Sequence, residues 1–171
     1  MRPTRTIIVT VEDLASYLND HLAGSVSALE LIEHWERLHS GKPLGEFFRD
    51  IGAEIRADQD KLREAMRRLS IEQSNMRQAG AWIAEKIGRA RLMVAGDKAA
   101  ELGLVLTLEG LIIGVQGKKL MWRALTTVNP PELKDFDFDE LQNRAQQQME
   151  RMDAERLRAA QHVFTNFPRS R

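Results

Sequence analysis

The stretch KAAELGLVLTLEGLIIGVQGKKLMWRAL, residues 98–125, decides the fold that we predict for this chain. Its central part, Leu102–Val115, is apolar on nearly every side of a helix and is interrupted only by Thr107 and Glu109. A helix that is apolar all round packs among neighbours rather than at a surface. A membrane span needs about 20 apolar residues, and this run is shorter. We therefore predict a buried helix of a soluble protein.

Helical spacing of apolar residues predicts four further helices, three long and one short. They are expected at Thr10–His39, Pro43–Leu69, Asn75–Arg91 (the short one) and Asp137–Phe164. Gly41 fits the end of the first helix and Pro43 the first turn of the second, where these residue types are favoured. The sequence Asn129-Pro130-Pro131 breaks the chain before the last helix.

The lengths of the connections predict how the helices are arranged. The tight turn at Gly41 makes the first two long helices antiparallel, whereas residues 70–97 are numerous enough to return along the whole bundle. We therefore predict an all-α, antiparallel four-helix bundle with one long crossover connection containing a short helix, which is the ferritin-like connectivity. Residues 10–165 would form this domain, with an N-terminal extension at 1–9 and a C-terminal tail at 166–171.

The composition excludes several classes of protein. Lys and Arg together number 25, as do Asp and Glu, so the formal net charge is zero, whereas nucleic-acid-binding proteins usually carry a basic surplus. The chain has no cysteine, which excludes disulfides, thiolate metal sites and cysteine nucleophiles. The apolar run Ile7–Val9 is too short for the core of a signal peptide. We therefore expect a cytoplasmic protein with neither a nucleic acid nor a membrane as its partner.

Glycine recurs along the predicted helix of residues 98–125, at Gly103, Gly110, Gly114 and Gly117. Glycine in a helix interior costs up to about 1 kcal/mol relative to alanine. Four such residues in one helix therefore indicate the close approach of another helix.

Three stretches carry a family resemblance: YLNDHLAG at residues 17–24, AWIAEK at 81–86, and LEGL at 108–111 continuing to Gly117-Lys118. With these stretches the chain resembles the ferritin-like superfamily, and within it a bacterial branch that has no established activity. The resemblance covers about residues 10–165 and implies a four-helix bundle. Because one fold serves many functions, it implies no particular activity.

The iron-binding members of this superfamily give a pattern with which the sequence can be compared. They place a Glu on each of two helices and a Glu-x-x-His on each of the other two, all pointing inward. On the inward stripes of this chain, the first helix offers no carboxylate at mid-height, and the others offer Asp58, Glu109 and Gln148. Lys61 and Arg151 stand three residues after Asp58 and Gln148, where the family has its histidines.

A fixed cation repels a metal ion, so this comparison predicts a core without metal or other cofactor. We expect instead a buried polar cluster at the bundle midpoint in which acids and cations neutralise each other, because a buried charge persists only when it is paired. The predicted members are Asp58, Lys61, Glu109, Gln148 and Arg151. Glu109 is either half of a structural ion pair or a remnant metal ligand.

Two functions of different classes follow. The leading interpretation is an uncharacterised, non-enzymatic protein that binds a protein or small ligand or has a stress-related structural role. The alternative is a divergent iron or manganese carboxylate protein, an oxidase or an iron-handling protein, with a reduced site. Its ligands would be Glu30, His34, Asp58 and Glu109. A homodimer is a further possibility, formed through apolar residues of the crossover helix around Met76, Trp82 and Ile83.

Overall fold

A computed structural model describes residues 11–74 and 97–165 of the chain. In these ranges the chain forms four long α-helices and a short 3-10 turn at Pro131–Leu133. The helices are α1 (Val11–Leu38), α2 (Pro43–Arg68), α3 (Asp97–Val128) and α4 (Phe138–Phe164). The described residues include no strand, and the predicted all-α four-helix bundle is confirmed. None of the described helices is both long and apolar enough to cross a membrane.

Local sequence sets the helix ends close to their predicted positions. Gly41, with a φ of +74°, reverses the chain after α1, and Pro43 begins α2. Helix α3 continues nearly one turn beyond its predicted end and stops where Asn129 takes a φ of +46°. The side chain of Asp137 then caps α4 by accepting a hydrogen bond of 2.9 Å from the main-chain N–H of Glu140, as an N-cap aspartate does.

Helices α1 and α2 form an antiparallel hairpin. Arg56 on α2 donates to the Glu33 carboxylate at 3.0 Å, and Gln59, further along α2, donates to the Ser25 hydroxyl at 2.8 Å. The partners therefore move backward along α1 as the chain moves forward along α2. The tight turn at Gly41 has the effect that the sequence predicts.

Helix α3 also runs antiparallel to α1. Trp35 Nε1 donates to Thr107 Oγ1 at 3.1 Å, and the ring of His21 lies beside Gly117. Because α2 and α3 are both antiparallel to α1, they run in the same direction, and the end of α2 lies at the opposite end of the bundle from the start of α3. A long crossover is the connection that this arrangement requires. The short helix predicted at 75–91 lies outside the described residues.

The core consists of two apolar clusters, one toward each end of the bundle, and each takes side chains from all four helices. The first includes Trp35, Phe48, Leu108 and Met152, and the second includes Leu18, Met66, Trp122 and Leu141. Between the two clusters lie Ser25 on α1, Asp58 and Gln59 on α2, and Lys118 on α3. A polar layer therefore crosses the middle of the bundle.

The hairpin between α1 and α2 generates a stability prediction at Gly45. A methyl group added there would overlap the main-chain carbonyl of His39, which cannot move without opening the turn. We expect Gly45→Ala to lower the free energy of unfolding by about 1–3 kcal/mol, as other overpacking substitutions do. Urea denaturation followed by circular dichroism measures this loss.

Gly114→Ala is the matched control, because Gly114 also lies within a helix and a methyl group there meets no atom within 4 Å. This substitution should raise the free energy of unfolding by up to about 1 kcal/mol, the difference in helix propensity. A Gly45→Ala protein as stable as the Gly114→Ala protein would contradict the described packing of the turn.

Candidate functional site

Two polar side chains in the middle of the bundle are buried as completely as the apolar core. Asp58 on α2 is 1% exposed and Gln148 on α4 is 0% exposed. Gln148 Nε2 donates to Asp58 Oδ2 at 3.0 Å. An amide does not neutralise a carboxylate, and an ionised carboxylate away from water is strongly destabilising unless a cation is beside it.

Lys118 on α3 supplies that cation. Its Nζ lies 2.5 Å from Asp58 Oδ2 and 2.6 Å from Gln148 Oε1, and its side chain is only 14% exposed. Burial lowers the pKa of Lys118 below its usual value, and the Asp58 carboxylate opposes that shift by stabilising the charged form. The ammonium group is thus held between an acid from α2 and an amide from α4.

Arg144 on α4 completes the neutralisation of Asp58. Its Nη2 lies 2.6 Å from Asp58 Oδ1, and its side chain is partly exposed. The two carboxylate oxygens therefore face different cations, one from α3 and one from α4. Glu54, one turn before Asp58 on α2, contributes a further negative charge that favours the protonated form of Lys118.

The polar layer extends to α1 through uncharged groups. Gln59 Nε2 donates to Ser25 Oγ, and Ser25 Oγ donates to the Leu22 carbonyl at 2.6 Å. All four helices therefore contribute to the layer. Such a layer fixes the level of each helix relative to the others, since sliding one helix would leave a buried polar group without its partner.

The prediction that Asp58 and Gln148 lie inside agrees with their positions, but the predicted cations do not. Lys61 is exposed, pairs with Glu64 at 3.0 Å and lies over the Phe136 ring. Asp58 already lies at the edge of the buried stripe of α2, and three further residues turn the helix another 60° outward. The placement of Lys61 in the buried cluster was therefore wrong.

Arg151 and Glu109 also lie outside the cluster. The side chain of Arg151 is 46% exposed and its Nη2 is 2.5 Å from Glu54 Oε2. Glu109 is partly exposed, and its carboxylate is 3.6 Å from Arg156 on α4. Glu109 is on the side of α3 that faces away from the bundle centre, and its partner is Arg156 instead of Lys61 or Arg151 of the predicted cluster.

The two cations that the sequence reasoning missed do carry a signal in the sequence. Lys118 follows Val115 by three residues and precedes Trp122 by four, so it is in phase with the buried stripe of α3. Arg144 follows Leu141 by three residues and precedes Gln148 by four on α4. A search of each buried stripe for every charged residue, instead of for acids and histidines alone, finds both Lys118 and Arg144.

A shallow cleft opens beside Arg144. The volume of the cleft is about 230 Å³. Phe136 forms part of its wall, and the cationic groups of Lys61 and Arg68 lie 5.5 Å and 5.1 Å from the centre of the Phe136 ring. Three cations and four acids line it, namely Lys61, Arg68, Arg144, Glu64, Asp135, Asp137 and Glu140. Because the opposite charges are mixed, the cleft has no evident preference for an anion or a cation.

The alternative metal ligands are not brought together. Asp58 is inside the bundle, Glu30 is exposed on α1, and Glu109 is on the outer side of α3. Among the described residues, no group of three His, Asp or Glu side chains is placed to hold a metal ion. His34 packs edge-on against Trp35.

Comparison with known proteins adds no relative: no family model, no curated protein and no solved structure matches this chain.

The polar layer generates a double-mutant prediction. Asp58→Asn removes the carboxylate that lies between Lys118 and Arg144, and we expect it to lower the free energy of unfolding by about 3–5 kcal/mol, as removal of one partner of a buried ion pair does. The double variant Asp58→Asn/Lys118→Met also removes the buried ammonium group and should recover part of that loss. Urea denaturation of Asp58→Asn, Lys118→Met and the double variant measures the coupling.

Glu54→Gln is the control, because it breaks an ion pair between α2 and α4 that is as short as the Asp58–Lys118 pair but exposed. It should cost less than about 1 kcal/mol. Equal losses for Asp58→Asn and Glu54→Gln would contradict the burial of the central pair.

His21 generates a prediction about pH. Burial lowers its pKa below the usual 6.5, and Asp20 only partly opposes this shift. The unfolded chain therefore binds a proton at a higher pH than the folded protein does, so the free energy of unfolding falls as the pH is lowered from 6.5 through the folded pKa. Chemical denaturation between pH 8 and pH 5 should show a shallower fall for His21→Gln. Identical slopes in the two proteins would contradict this assignment.

Proposed function

We propose that this chain is a ferritin-like protein of the bacterial branch, located in the cytoplasm, whose bundle centre is closed by a lysine ammonium group instead of a metal ion. Its role is non-enzymatic: it binds a partner or serves as a structural protein. The observation that carries the proposal is the position of Lys118 Nζ, 2.5 Å from Asp58 Oδ2 and 2.6 Å from Gln148 Oε1.

The direction of the helices supports the ferritin-like part of the proposal. Helices α2 and α3 run in the same direction, so one long crossover joins two antiparallel hairpins, as in ferritin-like bundles. In such bundles the inward groups at mid-height hold metal ions. Here the corresponding inward groups are Asp58 and Gln148, and the cation between them belongs to the chain itself.

The charges around Asp58 support a centre without metal. A divalent ion bound to this carboxylate would have to approach Lys118 and Arg144, which both lie within 2.6 Å of its oxygens. Repulsion between charges at such separations is strong in a buried site. Gln148 is also a weaker ligand than the glutamate of the metal-binding pattern, because its amide oxygen carries no formal charge.

The same contacts support a non-enzymatic role. Asp58 is not free to act as a general base because each of its oxygens faces a cation. Lys118 is a poor nucleophile for a carbonyl substrate, since its ammonium group is engaged by two partners and its side chain is nearly inaccessible. The strongest interactions of this site hold helices together.

The metal content of the purified protein tests the proposal. We expect protein from cells supplied with iron and manganese to contain neither metal in stoichiometric amount, as measured by inductively coupled plasma mass spectrometry. One or two equivalents of either metal, lost in Asp58→Asn and retained in Glu54→Gln, would show that the iron or manganese alternative is correct.

A further inference from the structure

His39, directly after the end of α1, stacks its imidazole ring on a buried tryptophan. The ring centres of His39 and Trp35 are 5.5 Å apart, and the two planes differ by 5°. Trp35 is 2% exposed, stacks on Phe48 of α2 as well, and donates a hydrogen bond to Thr107 of α3. The His39 ring therefore covers an aromatic group that joins three helices.

One nitrogen of the His39 ring is buried without a partner. Nε2 is buried and forms no hydrogen bond with the part of the chain that the structure describes. In a neutral imidazole the single proton can reside on Nδ1, which leaves Nε2 as an acceptor only. In a protonated imidazole both nitrogens are donors, so Nε2–H would be a buried donor on a charged ring with no acceptor. The stacked position therefore suits the neutral form of His39.

Stacking on Trp35 does not compensate the charged form. A charged ring above a tryptophan gains a cation–π attraction. A charged donor that is buried without an acceptor costs more than this attraction supplies. Burial accordingly lowers the pKa of His39 below its usual 6.5.

The charged groups around the ring do not favour protonation either. Lys42, just before α2, opposes a second positive charge and also lowers the pKa of His39. His162, near the end of α4, lies at the same end of the bundle and is itself cationic when protonated. Three acids at this end form no ion pair with the ring within the described ranges, namely Glu36 on α1, Glu46 on α2 and Glu101 on α3.

The main chain of His39 is held in place, so its side chain is the part that can respond to protonation. The His39 N–H donates to the Trp35 carbonyl at 3.1 Å, and the His39 carbonyl accepts from the Lys42 N–H at 3.0 Å. The same carbonyl packs so closely on Gly45 that a Cβ there would overlap it. Rotation about the side-chain bonds is therefore the movement that brings Nε2 to water without opening the turn.

We propose that His39 is an acid-sensitive switch, in which the neutral ring covers Trp35 and the protonated ring rotates into solvent and uncovers that tryptophan. Water then accepts from both N–H groups of the imidazolium. The helices keep their positions, because the hydrogen bond between Trp35 and Thr107 and those of the turn do not involve the imidazole. The proposal does not depend on the metal content of the bundle centre, since Trp35 belongs to the apolar cluster at one end.

Nuclear magnetic resonance of the full 19.5 kDa chain tests the switch. We expect nuclear Overhauser effects between the His39 and Trp35 rings at pH 8, where the neutral ring is stacked. They should be lost as His39 titrates, with a midpoint below pH 6.5. The resonance of Trp35 Nε1–H should shift with the same midpoint, and circular dichroism should show that the helices are intact.

Two variants separate the switch from other effects of acid. His39→Phe keeps an aromatic ring that cannot be protonated, so the Trp35 Nε1–H resonance should not move between pH 8 and pH 5. His39→Gln removes the ring, so at pH 8 its Trp35 resonance should already lie near that of the acidic wild-type protein. His162→Gln is the matched control, because it removes another histidine at this end of the bundle and should leave the titration at Trp35 unchanged.

Overhauser effects that persist after His39 is protonated would overturn the proposal, because the charged ring would then remain stacked on Trp35. A midpoint for His39 at or above pH 6.5 would overturn it as well. The same pH-dependent shift of the Trp35 resonance in His39→Phe would show that another group causes the change, which is a third contradicting result.

Discussion

The carboxylate of Asp58 is the group on which the arrangement of this bundle depends. It is 1% exposed, and a carboxylate so far from water would be strongly destabilising without counter-charges and hydrogen bonds. The counter-charges are Lys118 from α3 and Arg144 from α4, and Gln148 from α4 donates a hydrogen bond. Each of these side chains must lie at the same height in the bundle as Asp58. One acidic side chain thereby fixes the relative positions of three helices.

This constraint also explains why the apolar core has two parts. Apolar packing alone specifies helix levels weakly, because hydrophobic contact is not directional. Here the polar layer interrupts the contact between the two clusters and permits one alignment, in which Asp58 meets Lys118, Arg144 and Gln148. Buried ion pairs often add little net stability but can specify one arrangement, and that is the part we assign to Asp58 and Lys118.

The sequence predicts the helices well because their apolar spacing is long and regular, and Asp58 and Gln148 follow from the same spacing. It does not predict the neutralising cations, which were expected to be Lys61 and Arg151 and are instead Lys118 and Arg144. A helical stripe states which way a residue points, whereas an ion pair depends on how far a side chain reaches across the bundle. The spacing along α3 indicates that Lys118 points inward, but its pairing with Asp58 depends on how α2 and α3 are aligned in the bundle.

The glycines of α3 also show that the sequence does not reveal which neighbour a residue meets. Their number indicates close helix approach, and the natural expectation is a neighbour inside the bundle. Gly110 and Gly114 instead have open space around them, so no other helix of the described bundle packs on them. Helix α3 thus carries a lysine for the bundle centre on one side and the exposed apolar residues Leu106, Ile113 and Leu120 on the other.

The most direct test of the central claim is a crystal structure of protein produced with added iron and manganese, with anomalous diffraction recorded for both metals. We predict no anomalous peak at the bundle centre, and electron density for Lys118 that continues to the Asp58 carboxylate. An anomalous peak about 2.0–2.5 Å from that carboxylate, the range of metal–oxygen bonds, with Lys118 turned away, would contradict the account.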